Sequence, residues 1–189
     1  MSQTANDPRT AYAQQVTRTV EALRQELTDI SLDIHAHPEL NYQEHHAAQV
    51  LADALERHGF QVERGVGGVE TAFRGVIQGG GGGGPTVALL AEYDALPGIG
   101  HGCGHNLIAM SNLGAGLAVK AAMQSLPGRI IVLGTPAEEG GGGKIRLLDA
   151  SVFKDVDVAL SSHPSSNRTI IPTDIPRDQS WSLAMVIPV

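Results

Sequence analysis

Between Thr86 and Ser161 apolar strand-like runs alternate with helix-like stretches, and this alternation constrains the fold more than any other feature of the chain. Thr86 to Ala91, Arg129 to Thr135 and Val156 to Ser161 are short and nearly continuous in Val, Ile, Leu and Ala, the pattern of strands buried on both faces. Leu107 to about Ser125 and Lys144 to Ser151 carry helical patterns between them. Strand, helix, strand, helix, strand predicts an α/β domain with a mostly parallel sheet and covered faces. Sites in such sheets form beyond the carboxyl ends of the strands. Polar residues stand there: Asp94 after the first strand, Glu138 and Glu139 after the second, His163 after the third.

The amino-terminal third reads as helical. Asp7-Pro8 is a helix-start signal, and Ala11, Val16, Val20, Leu23, Leu27, Ile30 and Ile34 recur at helical spacing until about His37-Pro38. A second helix is predicted from about Gln43 to His58, with Ala47, Val50, Leu51, Ala54 and Leu55 on its buried side and Gly59 as its stop. Phe60 to Val66 and Thr71 to Ile77 follow as strand candidates. The unbroken glycines Gly79 to Gly84 then predict a mobile, solvent-exposed hairpin loop leading to Thr86. Neither this run nor Gly140 to Gly143 with Lys144 makes a phosphate loop: no Lys-Ser or Lys-Thr follows the first, and Ile145 replaces the hydroxyl residue in the second.

Thirteen basic against twenty acidic residues give a net charge of -7, with the acidic ones scattered, which argues against nucleic acid or an anionic membrane as partner. A single cysteine excludes an internal disulfide. The polar start MSQTANDPRTAYAQQ lacks the pattern of a signal peptide, and no run approaches a membrane span, so a cytoplasmic protein is expected.

Cys103 and His105 place a sulfur and an imidazole two residues apart, with Gly104 between them to let both turn inward. Alone, Cys103 reads equally as a small buried hydrophobe, Glu138-Glu139 as a solvated pair at a helix start, and His163 as a strand cap. Their placement at strand ends favours a metal site with one spare carboxylate as base. A cysteine nucleophile at Cys103 is the rival reading, without the local signatures of cysteine proteases. The remaining histidines, His35, His37, His45, His46, His58 and His101, read as helix-surface or helix-end residues; only His35 and His37 share a ligand-like spacing.

Taken in order, IHAHPELNYQE, AEYDALPGIGHGCGHN, GTPAEEGGGGK and a histidine 24 residues after Glu139 resemble the M20 metallopeptidase and amidohydrolase family. The likeness is to the branch of that family that holds aminobenzoyl-glutamate hydrolase and the aminoacylase-1-like 2 dipeptidases, and it covers nearly all of the chain beyond about residue 15. The resemblance implies a zinc-peptidase-like three-layer catalytic domain holding two divalent ions, zinc or manganese. Cys103, His105, Glu139 and His163 would be ligands, Glu138 the general base, and Asp94 the carboxylate orienting an imidazole. A small-molecule amide, an N-acyl amino acid or a dipeptide, would be hydrolysed. Asn106 stands where much of the family has aspartate, and Gly102 where alanine is commoner. Family members are about twice as long and dimerise through a lid domain. On that pattern residues 1–178 would be the amino-terminal part of the catalytic domain and 179–189, ending SWSLAMVIPV, the start of the lid. The alternative to an enzyme is a truncated, inactive metal-binding or interaction fragment.

Overall fold

The structure is a computed structural model that describes residues 7–164. The expected boundary at 178/179 and the lid start in SWSLAMVIPV lie outside the described residues. Helix α1 (Pro8–Ala36) starts as its sequence requires: Asp7 caps it by accepting the Arg9 N–H, and Pro8 occupies a position whose missing N–H costs nothing. Its apolar stripe is buried over Leu27, Ile30 and Ile34, whereas Ala11 and Val20 nearer the start remain exposed. α2 (His45–Arg57) buries Ala47, Leu51, Ala54 and Leu55.

Five strands form one sheet in the order β1-β2-β4-β3-β5: β1 (Gln61–Arg64), β2 (Phe73–Gln78), β3 (Thr86–Ala91), β4 (Arg129–Gly134) and β5 (Val158–Leu160). β4, β3 and β5 are parallel neighbours, β2 is antiparallel to both β1 and β4, and so four strands run one way and one against them. The two longest central strands alternate with period two. Leu89, Ala91, Ile130 and Val132 face a core shared with α1, α2 and α3 (His105–Ala122); Ala88, Leu90, Ile131 and Leu133 face a second core with Val66, Leu147 of α4 (Gly143–Asp149), Phe153 and Val156. The molecule is thus a three-layer α/β fold. No helix among the described residues is long and apolar enough to cross a membrane.

The run Gly79 to Gly84 is largely exposed to solvent, as expected, but the reading of it as a hairpin is corrected. β4 lies between β2 and β3, so the glycines stride across the entrance to β4 instead of turning between paired neighbours. Gly79, Gly80 and Gly81 donate their N–H groups to the carbonyls of Gly128, Met123 and Leu126. A Cβ at Gly79 would stand 2.2 Å from the Leu126 carbonyl oxygen and one at Gly80 2.1 Å from that of Gln124, so these two glycines serve close backbone packing on the loop before β4, whereas Gly82 and Gly83 face open space.

Candidate metal centre

The carboxyl ends of β3 and β4 and the start of α3 meet at His105. Gly104, the residue before α3, has φ +80°, a left-handed turn natural to glycine; it lets Cys103 and His105 bend toward the same space. The His105 side chain is fully buried. Its Nδ1–H donates to the Asp94 carbonyl oxygen at 2.9 Å and to Asp94 Oδ1 at 3.1 Å, which fixes the tautomer and leaves the Nε2 lone pair free. Nε2 has no hydrogen-bond partner among the described residues. Glu139 Oε1, Glu92 Oε2 and Glu138 Oε2 stand 3.6, 3.7 and 3.9 Å from it, too far to bond it directly. Donors around a tetrahedral ion at ~2.0–2.2 Å are about 3.3 Å apart, close to this spacing. Cys103, His105 and Glu139 bring donor atoms within 4.8 Å of one another, and so do Glu92, His105 and Glu138. A buried lone pair facing a thiol and three carboxylates fits a divalent cation.

The supporting carboxylate is itself held. Asp94 Oδ2 accepts the Glu139 backbone N–H at 3.1 Å, tying the β3 end to the β4 end. Burial pushes the Asp94 carboxyl up, but the His105 ring and the backbone N–H groups of Glu139 and Glu138 outweigh it and hold it below the usual carboxylate range. His105 shows the mirror image: burial pulls it down, and Asp94, Glu92 and Glu138 raise it above the ordinary imidazole value. The Cys103 thiol is pushed up to about 11, first by its hydrogen bond to Glu139, then by burial and the neighbouring carboxylates. A cysteine nucleophile needs the opposite shift, so this environment disfavours the rival reading. A coordinated cation reverses it, since a thiol on a metal gives up its proton.

The Glu138-Glu139 turn is braced by the segment between α1 and α2. Ala137 has φ +57°, a conformation that costs a residue with a Cβ about 1–2 kcal/mol. Its N–H is held at 2.8 Å by Oε1 of Glu44, a fully buried carboxylate whose Oε2 accepts the Thr71 hydroxyl at 3.1 Å. Tyr42 donates its hydroxyl to the Gly141 carbonyl. Gly143 must be glycine, because a Cβ there would stand 1.8 Å from the Pro136 carbonyl oxygen.

Of the six residues singled out in the sequence, the structure brings Cys103, His105 and Glu139 together, sets Glu138 at the mouth and Asp94 behind His105. His163 is exposed, its ring 6.0 Å from that of His105 and edge-on to it, and its Nδ1 lies 2.7 Å from the Pro164 carbonyl oxygen. Sequence reasoning missed Glu92 and Lys144. Glu92 is buried beside His105 and paired with Lys144 Nζ at 2.6 Å; the signal was a carboxylate inside an otherwise apolar strand end. The reading of His101 as a helix-surface residue is corrected as well: it lies buried in the loop before α3, and neither ring nitrogen has a partner among the described residues. Asn106 donates its amide to the Ser31 carbonyl and hydroxyl, which an aspartate in this position does not do.

Residues 88–174 match peptidase family M20/M25/M40. The chain is 42% identical over 166 residues to one of the subunits of p-aminobenzoyl-glutamate hydrolase from Escherichia coli, and 41% identical over 161 residues to the human Xaa-Arg dipeptidase. The fold agrees: a dinuclear metal-binding peptidase of the M20 family from Bacillus subtilis superposes with a TM-score of 0.73 at 26% identity, over 79% of this chain and 45% of that one. In sequence and in fold this chain is similar to the M20 family. An aminobenzoyl-glutamate utilization protein from Klebsiella pneumoniae is similar as well, with a TM-score of 0.69 at 25% identity over 82% of this chain and 47% of its own. The two curated M20 relatives match 78% and 77% of this chain, which spans only 34% and 37% of their length.

Proposed function

We propose that this chain carries the metal centre of an amidohydrolase or peptidase that cleaves a small amide, an N-acyl amino acid or a dipeptide. The observation that carries the reading is the orphaned Nε2 of His105, buried and facing Cys103, Glu92, Glu138 and Glu139, with Nδ1 locked by Asp94. Cys103, His105 and Glu139 would hold a zinc or manganese ion; Glu92 is a further donor in reach, and His163, whose ring lies 6.0 Å from that of His105, would be a further ligand. The thiolate and imidazole favour a borderline ion over magnesium or calcium. Such an ion supplies a Lewis acid for the scissile carbonyl and makes water acidic enough to attack near neutral pH.

The protein's own groups do the rest. Glu138, side chain half open at the mouth, takes the proton of the attacking water at a carboxylate oxygen and passes it to the leaving amine. Asp94 keeps the His105 lone pair forward. Lys144 neutralises Glu92, so that the buried charge around His105 does not rise unchecked as carboxylates gather. The share of its relatives that the chain spans supports a second reading, a metal-binding chain that turns over substrate only when the remaining length is supplied.

The test is metal content together with hydrolysis of N-acyl amino acids and dipeptides by the purified chain, alone and with the remaining segment of a relative added in trans. Metal-dependent release of the amine in either format supports the proposal. A chain that binds no zinc, manganese or cobalt contradicts it.

A further inference from the structure

Away from His105, one other group of described side chains converges in the manner of metal ligands: Asp33, His37 and His46, with donor atoms within 4.8 Å of one another. Asp33 and His37 are four residues apart at the end of α1 and so share a face. His46 comes from the first turn of α2. Glu39, in the loop between the helices, accepts the His46 N–H at Oε1 (2.9 Å) and the Ala47 N–H at Oε2 (3.0 Å), which sets that turn against the end of α1. The two imidazoles lie 4.5 Å apart between ring centroids. The Asp33 carboxylate spans them, with Oδ1 3.2 Å from His37 Nδ1 and Oδ2 2.8 Å from His46 Nε2. His37 Nδ1 is also 2.8 Å from the Asp33 carbonyl oxygen.

The histidine pairing that spacing alone suggests, His35 with His37, is not formed: His35 lies near His101, 6.2 Å between rings, and His37 turns to His46. We propose that Asp33, His37 and His46 form a second, surface site for a zinc-class divalent cation that staples the end of α1 to the start of α2. Ligands about 3.3 Å apart surround a tetrahedral ion at ~2.0–2.1 Å; the His37-to-Asp33 spacing of 3.2 Å matches this, and the His46-to-Asp33 spacing of 2.8 Å has only to open slightly. Two imidazoles and a carboxylate select zinc, cobalt, nickel or copper over magnesium and calcium. The side chains are 38 to 57% exposed, which leaves water for the fourth position. The loop that the ion would brace carries Tyr42 and Glu44, the residues that hold the Glu138-Glu139 turn.

The test is equilibrium dialysis of the full chain, stripped by chelator, against zinc alone and cobalt alone, with metal counted per chain. His46→Gln and Asp33→Asn are expected each to lose one zinc equivalent, or to weaken one site at least tenfold, while the charge-transfer absorption of cobalt on the Cys103 thiolate is kept. All three side chains are partly exposed at helix ends, and helix circular dichroism confirms folding of each variant. Cys103→Ser supplies the converse: it removes the thiolate absorption and leaves the surface equivalent. Zinc stoichiometry and affinity unchanged in both surface variants would overturn the proposal, whatever the fate of the buried centre.

Discussion

Among the described residues, histidines and carboxylates converge in the manner of metal ligands at His105 and at Asp33, and burial separates the chemistry of the two clusters. At His105 the imidazole is fully buried, a carboxylate fixes its back nitrogen, and its front nitrogen has no partner among the described residues. At Asp33 the same residue types are partly exposed and satisfy one another: the carboxylate hydrogen-bonds the His46 ring, and the His37 ring, 3.2 Å from that carboxylate, hydrogen-bonds the Asp33 carbonyl oxygen. The buried cluster is frustrated without a cation, whereas the surface cluster is content without one. Desolvation makes an unpaired buried group expensive, so the first arrangement persists only where a ligand repays it. The second offers an ion weaker binding and faster exchange.

Substitutions break this comparison most sharply at the buried end. Glu138→Gln should lower amide hydrolysis about 10²–10⁴-fold, the usual worth of a general base, with metal content retained; full rate would remove the base role. Asp94→Asn should weaken metal binding at the Cys103 centre about 10–100-fold, because the back nitrogen of His105 loses its carboxylate; dialysis measures it. Glu44→Ala strands the Ala137 N–H and the Thr71 hydroxyl and should cost about 2–4 kcal/mol in urea unfolding, with activity loss as the Glu138-Glu139 turn relaxes. Metal affinity at the buried centre should rise with pH. The Cys103 thiol is protonated below about 11 and an ion must displace that proton, so apparent affinity climbs by roughly tenfold per pH unit from this group alone; Cys103→Ser removes that part of the slope and leaves the part due to His105, whose raised value adds a second proton to displace at lower pH. Smallest of all, His37→Gln should shift stability in the absence of metal by no more than about 1 kcal/mol, as for other exposed pairs.

Much of this was legible in the chain because the signals were local. The strands β3 and β4, the helix between them, the Asp7-Pro8 start and the stop at Gly59 follow from apolar runs and caps within a few residues. That Cys103, His105 and Glu139 converge was legible because few side-chain types serve as metal donors and these stand in short loops at the carboxyl side of the sheet. What escaped depended on long-range pairing. Gly79 to Gly84 looks like a hairpin until β4, about fifty residues later in sequence, inserts between β2 and β3. Glu92 hides within an apolar strand end, and its place in the site shows only when Lys144 and His105 reach it from two different helices. The strain at Ala137 and the buried Glu44 that holds it belong to the same class, since no window of sequence joins residues 44 and 137.

The most direct measurement is cobalt titration of the chelator-stripped chain, followed by the thiolate-to-cobalt charge-transfer absorption that only Cys103, its single cysteine, produces. The band should grow with the tightest equivalent, vanish in Cys103→Ser and weaken in Asp94→Asn. Cobalt bound tightly with no thiolate band would contradict a centre built on Cys103 and His105.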